Sequence, residues 1–211
     1  MCANIHGQSV VTGGDLPAMA ATCPNHVPIG SVEWTREWAR KIGVNLSDRS
    51  IYLSTYPQKL RSHLHRTVAM DLFRNVGAEE FVKPVNCKAF TGGIRSEISE
   101  VVHPHTTCWI SEPVTWGAEW RCYVLHGQIV GVGQYDDGED DVEINITAAQ
   151  AIADSWVGPA GYSLDLGMLG DQLALVEVND GWALGYYSGC PRDAYLDVIS
   201  ARWAEILEAG K

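Results

Sequence analysis

The apolar segment at residues 173–181 constrains this chain most, because it carries a carboxylate and an amide near its end. Side chains alternate between the two faces of a strand, so Glu177 and Asn179 point the same way. Neither side chain is stable on a buried face without a partner, and a cation is the simplest partner. The segment therefore predicts a strand that carries part of a binding site as well as core residues.

A second short apolar run lies just upstream and contains one carboxylate, Asp165. The residues between the two runs have turn chemistry, including the pair Gly170-Asp171. A hairpin that turns at this pair places Asp165 roughly opposite Glu177. Two carboxylates and an amide then converge, and their oxygens suit a hard ion such as Mg²⁺ that also holds phosphates.

Length and composition are those of an ordinary globular protein. With 211 residues, of which 46% are hydrophobic and 19% charged, the chain can bury a substantial core as one larger domain or two small lobes. A net charge of −11 disfavours nucleic acid as a partner, because phosphate backbones are bound through clustered lysines and arginines. A phosphate-bearing small ligand would need local lysines that act against this charge.

Several features predict a cytoplasmic protein. No apolar stretch approaches the roughly 20 residues that span a bilayer, so no membrane partner is expected. The first residues lack the basic start and apolar block of a signal peptide. The six cysteines are scattered without a CxxC pair, which argues against a zinc ribbon and fits reduced thiols in a cytosol.

The apolar periodicity predicts strands and helices interspersed along the chain, as in an α+β protein. Thr147 and Gln150 have the spacing of a capping box, and His126-Gly127 has the chemistry of a hairpin turn. Helices are expected at 31–42, 60–77, 147–156 and 195–206. Strands are expected at 51–54, 81–85, 88–94, 107–114, 120–125 and 129–135, beside the runs already described.

Two lysines and a glycine pair have the arrangement expected of a phosphate site. Lys83 lies inside an apolar strand, and Lys88 leads into Thr91-Gly92-Gly93. A lysine on a strand can hold a phosphate as a point charge, and glycines let backbone N–H groups approach phosphate oxygens closely. Taken alone, the segment is somewhat more typical of two surface lysines beside a glycine turn.

A polar stretch follows, running from Ser111-Glu112 through Val114 to Glu119 and Arg121. Glu119 and Arg121 share one strand face, because they lie two residues apart. Such a pair taken alone is more often a structural ion pair than part of a site. Its meaning therefore depends on the other motifs of the chain.

The order of these motifs resembles the ATP-grasp superfamily. The chain looks most like a small phage- and bacteria-associated group of these domains, which has Phe-Val-Lys-Pro, Lys-x-Phe-Thr-Gly, Glu-Trp-Arg and Glu-x-Asn motifs. The resemblance implies an α+β, ATP-grasp fold, in which two lobes with antiparallel sheets enclose a nucleotide cleft after a short N-terminal region. It spans about residues 80–187.

The resemblance also implies roles in a nucleotide site. Lys83 and Lys88 would face the ATP phosphates together with the 91–93 loop, and Lys88 would also take part in catalysis. The 110–114 segment would be the linker whose backbone reads adenine, with Glu112 near the adenine amino group.

The remaining implied roles concern the ribose, the reaction and the metal. Glu119 would accept hydrogen bonds from the ribose hydroxyls, and Arg121 would stabilise the transferring phosphoryl group or an acyl phosphate. Asp165, Glu177 and Asn179 would hold Mg²⁺.

The implied function is an ATP- and Mg²⁺-dependent ligase that activates a carboxylate as an acyl phosphate for attack by an amine, on an amino acid or a peptide. The alternatives are a regulatory module that binds nucleotide without turnover, and a kinase of a small molecule. Retention of all the metal-ligand types favours the enzyme. We expect the ATP-grasp domain at 79–211 and an N-terminal region, a candidate substrate lobe, at 1–78.

Two other clusters carry less weight. His103-Pro104-His105 with Cys108 has metal-binding side chains, but its constrained spacing and the lack of a second pair disfavour zinc. The acidic run at 136–141 lacks the spacing of an EF-hand and is interpreted as a solvated loop. The alternative role for this run is attraction of a cationic, amine-bearing substrate.

Overall fold

The structure, a computed structural model, describes residues 26–46, 55–86, 89–134 and 142–209. Within these ranges it contains three α-helices and eight strands. The helices are α1 (Val32–Lys41), α2 (Ile146–Asp154) and α3 (Arg192–Glu208). The strands are β1 (Val68–Leu72), β2 (Phe81–Pro84), β3 (Gly93–Ile94), β4 (Thr107–Ser111), β5 (Glu119–Leu125), β6 (Gln128–Gln134), β7 (Gly161–Leu169) and β8 (Gln172–Asp180).

The strands form two four-stranded sheets whose neighbouring strands run antiparallel. The first has the order β1-β4-β2-β3 and the second the order β6-β5-β7-β8. In the first sheet, Lys83 of β2 lies opposite Trp109 of β4. A small core on this sheet joins Phe73, Val82, Phe90 and Cys108.

The second sheet is covered on both faces. Tyr123 of β5 packs with Trp38 of α1 and Trp203 of α3 in one core. The preceding residue, Cys122, lies in another core with Ile152 of α2. Because consecutive strand residues point to opposite faces, β5 contributes to both cores and the sheet is the layer between them.

Helix α3 is held against the second sheet by close packing and by a buried ion pair. A Cβ atom at Gly161 of β7 would collide with the carbonyl oxygen of Val198 in α3, so only glycine fits there. Arg202 donates from Nε and Nη2 to the Asp180 carboxylate at 2.6 and 2.8 Å. Both partners are buried, and they join α3 to the end of β8.

Several local predictions are confirmed. Helix α1 begins after Ser31, whose hydroxyl accepts a hydrogen bond from the Trp34 amide at 3.2 Å. The hairpin of β5 and β6 turns at His126 and Gly127, with φ of 47° and 82°. The predicted elements at 31–42, 81–85, 120–125 and 195–206, and the hairpin of β7 and β8, are all present.

The helix predicted at 60–77 is wrong. This segment forms a 3₁₀ helix (Gln58–His63), strand β1 and a second 3₁₀ turn (Phe73–Asn75). His65 adopts φ of 48°, a left-handed conformation that ends any right-handed helix. Pairing of β1 with β4 then outweighs the helical spacing of the leucines, since spacing alone does not reveal a distant strand partner.

The capping box predicted at Thr147 and Gln150 is also wrong. Helix α2 begins at Ile146 after Asn145, whose Oδ1 accepts a hydrogen bond from the Ala148 amide at 3.1 Å. Gln150 instead accepts from the Ile129 amide at 2.9 Å, which ties the helix to the β5–β6 hairpin.

Other predicted elements are shorter than expected or lie outside the described residues. Only Gly93–Ile94 of the strand predicted at 88–94 is a strand, and the strand predicted at 107–114 ends at Ser111. The 51–54 strand, the end of the 129–135 strand at Tyr135 and the 136–141 acidic run lie outside the described residues. Strand β1 precedes the predicted domain boundary at residue 78 and pairs with β4; the boundary itself stays a prediction. Among the helices that the structure describes, none has both the length and the apolarity that a bilayer crossing requires.

Candidate functional site

Two buried ion pairs meet where the first sheet faces the second. Lys83 of β2 places its Nζ 2.6 Å from Glu177 Oε2 of β8, so this pair joins the two sheets. Arg121 of β5 donates from Nε and Nη2 to the two oxygens of Asp165 in β7, at 2.8 and 2.6 Å. All four side chains are mostly buried, with exposed fractions between 2% and 21%.

Asn179 connects the two carboxylates. Its Nδ2 donates to Asp165 Oδ2 at 3.1 Å and to Glu177 Oε1 at 2.9 Å. Asp165 lies directly opposite Glu177 in the β7–β8 hairpin, as the turn chemistry predicts. The carboxylates and the amide therefore share one face of the second sheet, although their role as metal ligands stays a prediction.

The electrostatics of the site follow from burial and pairing. Burial opposes the charge on Lys83, but the Glu177 carboxylate outweighs it, so the pKa of Lys83 is raised. Burial likewise opposes the charge on Arg121, and Asp165 outweighs it, so the pKa of Arg121 is raised. Burial raises the pKa of Asp165, and Arg121 counters this only in part. A further cation beside Asp165 would therefore be favourable.

The predicted phosphate loop lies against the strand that carries Lys83. A Cβ atom at Gly92 would lie 2.9 Å from the Cβ of Lys83, so glycine permits this close approach. Gly93 begins β3 and pairs with Val82. The Thr91 amide donates to Glu100 Oε1 at 3.0 Å. Lys88 lies outside the described residues, so its predicted role stays a prediction.

The predicted adenine linker follows β4. Ser111 ends that strand and is buried, whereas Val114 is half-buried. Glu112 Oε1 accepts a hydrogen bond from the Thr67 amide at 2.8 Å, which ties the linker to the chain just before β1. Glu119 begins β5 and pairs with Gly167 of β7, two residues before Arg121 and on the same face of the strand.

The sequence patterns gave no role to an aromatic side chain that packs on Arg121. The Tyr187 ring lies 5.1 Å from the guanidinium carbon of Arg121. Its amide donates to the Tyr123 hydroxyl at 2.9 Å, and that hydroxyl donates to the Gly185 carbonyl at 2.8 Å. A Cβ atom at Gly133 would lie 2.7 Å from the Tyr187 Cβ, so glycine in β6 makes room for this loop. The Gly185-Tyr186-Tyr187 triplet is the sequence signal for it.

Comparison with known families agrees with this geometry. Residues 28–206 match a family model described as an ATP-grasp domain, the third family of its clade. The chain belongs to this ATP-grasp family. The predicted resemblance is therefore confirmed, and so is the α+β fold with two antiparallel sheets.

Solved structures with a similar fold include known ligases. A D-alanine–D-alanine ligase from Bacillus anthracis is 12% identical, with a TM-score of 0.51 over 94% of this chain and 83% of that chain. The ATP-grasp ligase PsnB, complexed with a minimal precursor, is 16% identical, with a TM-score of 0.44 over 72% of this chain and 58% of that chain. This chain therefore spans less than two thirds of PsnB. No curated protein matches the chain in sequence.

The residues at the second sheet fit the magnesium ion that an ATP-grasp domain implies. Among the described ranges, no group of three or more His, Cys, Asp or Glu side chains could hold a metal ion. The candidate set here consists instead of two carboxylates and one amide. Because the Asn179 amide lies between Asp165 and Glu177, turning it about its own bond would direct its oxygen toward the same point. An all-oxygen donor set is the kind that Mg²⁺ prefers.

Proposed function

We propose that this protein is an ATP- and Mg²⁺-dependent ligase, which activates a carboxylate as an acyl phosphate for attack by an amine. The observation that carries the proposal is the ion pair between Lys83 and Glu177, which joins the two sheets beside the Arg121–Asp165 pair. A basic side chain from one sheet and a carboxylate from the other are the groups needed to hold the phosphates and the metal of ATP from opposite sides.

In this proposal, Asp165, Glu177 and Asn179 hold Mg²⁺, and Lys83 turns from Glu177 toward the nucleotide phosphates. When bound, Mg²⁺ would neutralise charge on the phosphates and orient them. Lys83 would add a second positive charge from the first sheet, and Lys88 would do so from the glycine loop. The linker around Glu112 and the strand start at Glu119 would bind the adenosine part.

Arg121 is placed to stabilise the reacting phosphoryl group. Its Nε and Nη2 are bound to Asp165, which holds the guanidinium plane in one orientation. A side chain at position 185 would come within 3.3 Å of Nη1, and Gly185 leaves that space open. An oxyanion could therefore approach Nη1 from this side. Electrostatic stabilisation of this kind needs no protein nucleophile.

The proposed reaction balances in two displacements. An oxygen of the substrate carboxylate attacks the γ-phosphorus of ATP, the bond to the bridging oxygen breaks, and ADP leaves. The amine nitrogen then attacks the acyl carbon, phosphate leaves, and the amine gives up a proton. Amino acids or peptides are the proposed substrates, residues 1–78 the proposed substrate lobe, and the cytoplasm the proposed location.

Product analysis tests the proposal. Purified protein is incubated with Mg·ATP and panels of amino acid and peptide carboxylates, with and without amines, while ADP and phosphate are measured. A ligase releases ADP and phosphate with both substrates present and forms an amide. Phosphate retained on a product would indicate a kinase instead. Tight Mg·ATP binding without turnover on any acceptor would indicate a regulatory module.

A further inference from the structure

Strand β8 contains a β-bulge immediately before Glu177. Asp165 pairs with Glu177, but the next residue, Leu166, pairs with Leu175. Val176 is therefore an extra residue that has no partner of its own in β7. A bulge of this kind shifts the alternation of side chains by one position.

The bulge decides which face of the sheet Glu177 occupies. If β8 continued without the extra residue, Asp165 would lie opposite Val176 and Glu177 opposite Leu164. Leu164 is fully buried in the core that contains Cys122, so a carboxylate at that position would face apolar side chains. The bulge therefore keeps Glu177, and the residues after it, in register with the face that carries Asp165.

Arg66, in the connection just before β1, binds the carbonyl groups of the bulge. Its Nη1 donates to the Leu175 oxygen at 2.7 Å, and its Nη2 donates to the Val176 oxygen at 2.9 Å. Nη1 also lies 3.2 Å from the Leu64 oxygen. A bulge leaves carbonyl groups outside the regular ladder, and the fork of a guanidinium matches two of them at once.

The guanidinium of Arg66 is itself held by aromatic rings. It lies 4.8 Å from the ring centre of Trp116 and 5.8 Å from that of Tyr56. The same Tyr56 ring lies 4.6 Å from Nζ of Lys83. At Gly167, a Cβ atom would meet both Trp116, at 2.8 Å, and the Val176 side chain, at 3.2 Å, so the bulge and this aromatic cover pack together.

We propose that Arg66 is a positioning residue, which holds the β8 bulge and thereby sets the placement of Glu177 and Asn179. The inference rests on the proposed function only in that those two residues are the proposed metal ligands. Arg66 itself acts through the backbone of β8 and through no ligand. Because it lies two residues before β1, it also joins the first sheet's chain connection to the second sheet.

The test compares Arg66→Gln and Arg66→Lys with the control Arg61→Gln. Arg61 lies in the same connection, stacks 6.0 Å from the Trp109 ring and donates to the Tyr56 oxygen at 3.4 Å, so its described contacts are away from the bulge. Two readouts are used. Amide hydrogen exchange reports on residues 175–179 without any metal, and electron paramagnetic resonance reports Mn²⁺ binding in the presence of ATP.

In Arg66→Gln we expect exchange at residues 175–179 to become about tenfold faster, with the α3 amides unchanged, because two hydrogen bonds are lost locally. The Mn²⁺ dissociation constant should rise about tenfold, as when the support of a metal ligand is removed. Arg66→Lys should show a smaller change of both, since one ammonium replaces the fork, and it carries the test if Arg66→Gln does not fold. Arg61→Gln should change neither readout.

Equal acceleration of exchange over the whole chain, or unchanged exchange at residues 175–179, would overturn the inference. A Glu177→Gln variant separates it from the proposed function. If Glu177→Gln binds Mn²⁺ like the wild type, the metal assignment fails, while exchange at the bulge still decides the role of Arg66. If Glu177→Gln weakens binding and Arg66→Gln weakens it no further in that background, Arg66 acts through Glu177.

Discussion

Among single residues, those of the site are balanced in charge. Lys83 and Arg121 face Glu177 and Asp165, and each pair is mostly buried. A buried ion pair gains little net stability, because desolvation offsets much of the attraction. The pairs are therefore better explained by binding: each carboxylate can accept a metal and each base a phosphate when ligand replaces the internal partner.

Glu177→Gln tests the metal role of this residue. The amide has the same shape but no charge, so the affinity for Mg·ATP should fall at least about tenfold and turnover should fall with it. Isothermal titration with Mg²⁺ and a non-hydrolysable ATP analogue measures the change. Glu208→Gln, at the exposed end of α3, is the control and should bind like the wild type. Wild-type affinity in Glu177→Gln would remove this residue from the metal site.

Lys83→Met tests the phosphate role of the strand lysine. Methionine keeps the length of the side chain but removes the ammonium group, so the ATP dissociation constant should rise about tenfold to a hundredfold, the range for hydrogen bonds to charged groups. Fluorescence or calorimetric titration with ATP gives the constant. Lys59→Met, in the exposed part of the first 3₁₀ helix, is the matched control. An unchanged titration curve for Lys83→Met would contradict the assignment.

Among the elements of the fold, strand β8 connects the site to the rest of the molecule. Its bulge places Glu177 on the functional face, and its last residue, Asp180, binds Arg202 of α3. Asp180 also accepts a hydrogen bond from the Trp182 amide and starts the 3₁₀ turn Gly181–Ala183. One strand thus carries a functional carboxylate and a structural one, and its sequence alone does not tell them apart.

Arg202→Met tests the structural carboxylate. Methionine fills similar space but leaves the fully buried Asp180 without its guanidinium, so the free energy of unfolding should fall by about 3–5 kcal/mol. Urea denaturation followed by circular dichroism measures the loss. Arg192→Met, at the exposed start of the same helix, should change stability by less than about 0.5 kcal/mol. Equal stability of the two variants would show that the pair contributes nothing net.

Over the molecule as a whole, the two sheets have cores of unequal size. The first sheet buries the small cluster around Phe73 and Val82, whereas the second is covered by two larger clusters. Because local stability follows the apolar area that a region buries, the first sheet should open at lower free energy than the second. An opening of this sheet would admit ligand to the site between the sheets.

Cysteine labelling tests this order of opening. Burial raises the pKa of Cys108 to about 11 and that of Cys122 to about 12, and both thiols are fully buried, so neither should react at pH 8 in the native state. With increasing urea, Cys108 of the first sheet should be alkylated at a lower concentration than Cys122 of the second. Peptide mass spectrometry follows each site. One shared midpoint would show that the sheets unfold together.

Much of the second sheet could be predicted from sequence, because its signals are local. Turn chemistry at His126-Gly127 and at Gly170-Asp171 defines two hairpins, and alternation assigns their faces. The 60–77 segment could not be predicted in this way. Its leucines repeat at helical spacing, but the partner that makes part of it a strand, β4, lies about 40 residues further along the chain.

The same distinction applies to the site. Local patterns in the chain were sufficient for the residue types of an ATP-grasp site, their order and the position of Asp165 opposite Glu177, because periodicity and turn chemistry act between near neighbours. No such pattern indicates that Lys83 pairs with Glu177 or that Arg66 holds the bulge before it; both contacts emerge only in the folded protein. They join residues about 100 positions apart, and contacts of that kind depend on how the two sheets pack rather than on any local preference of the chain.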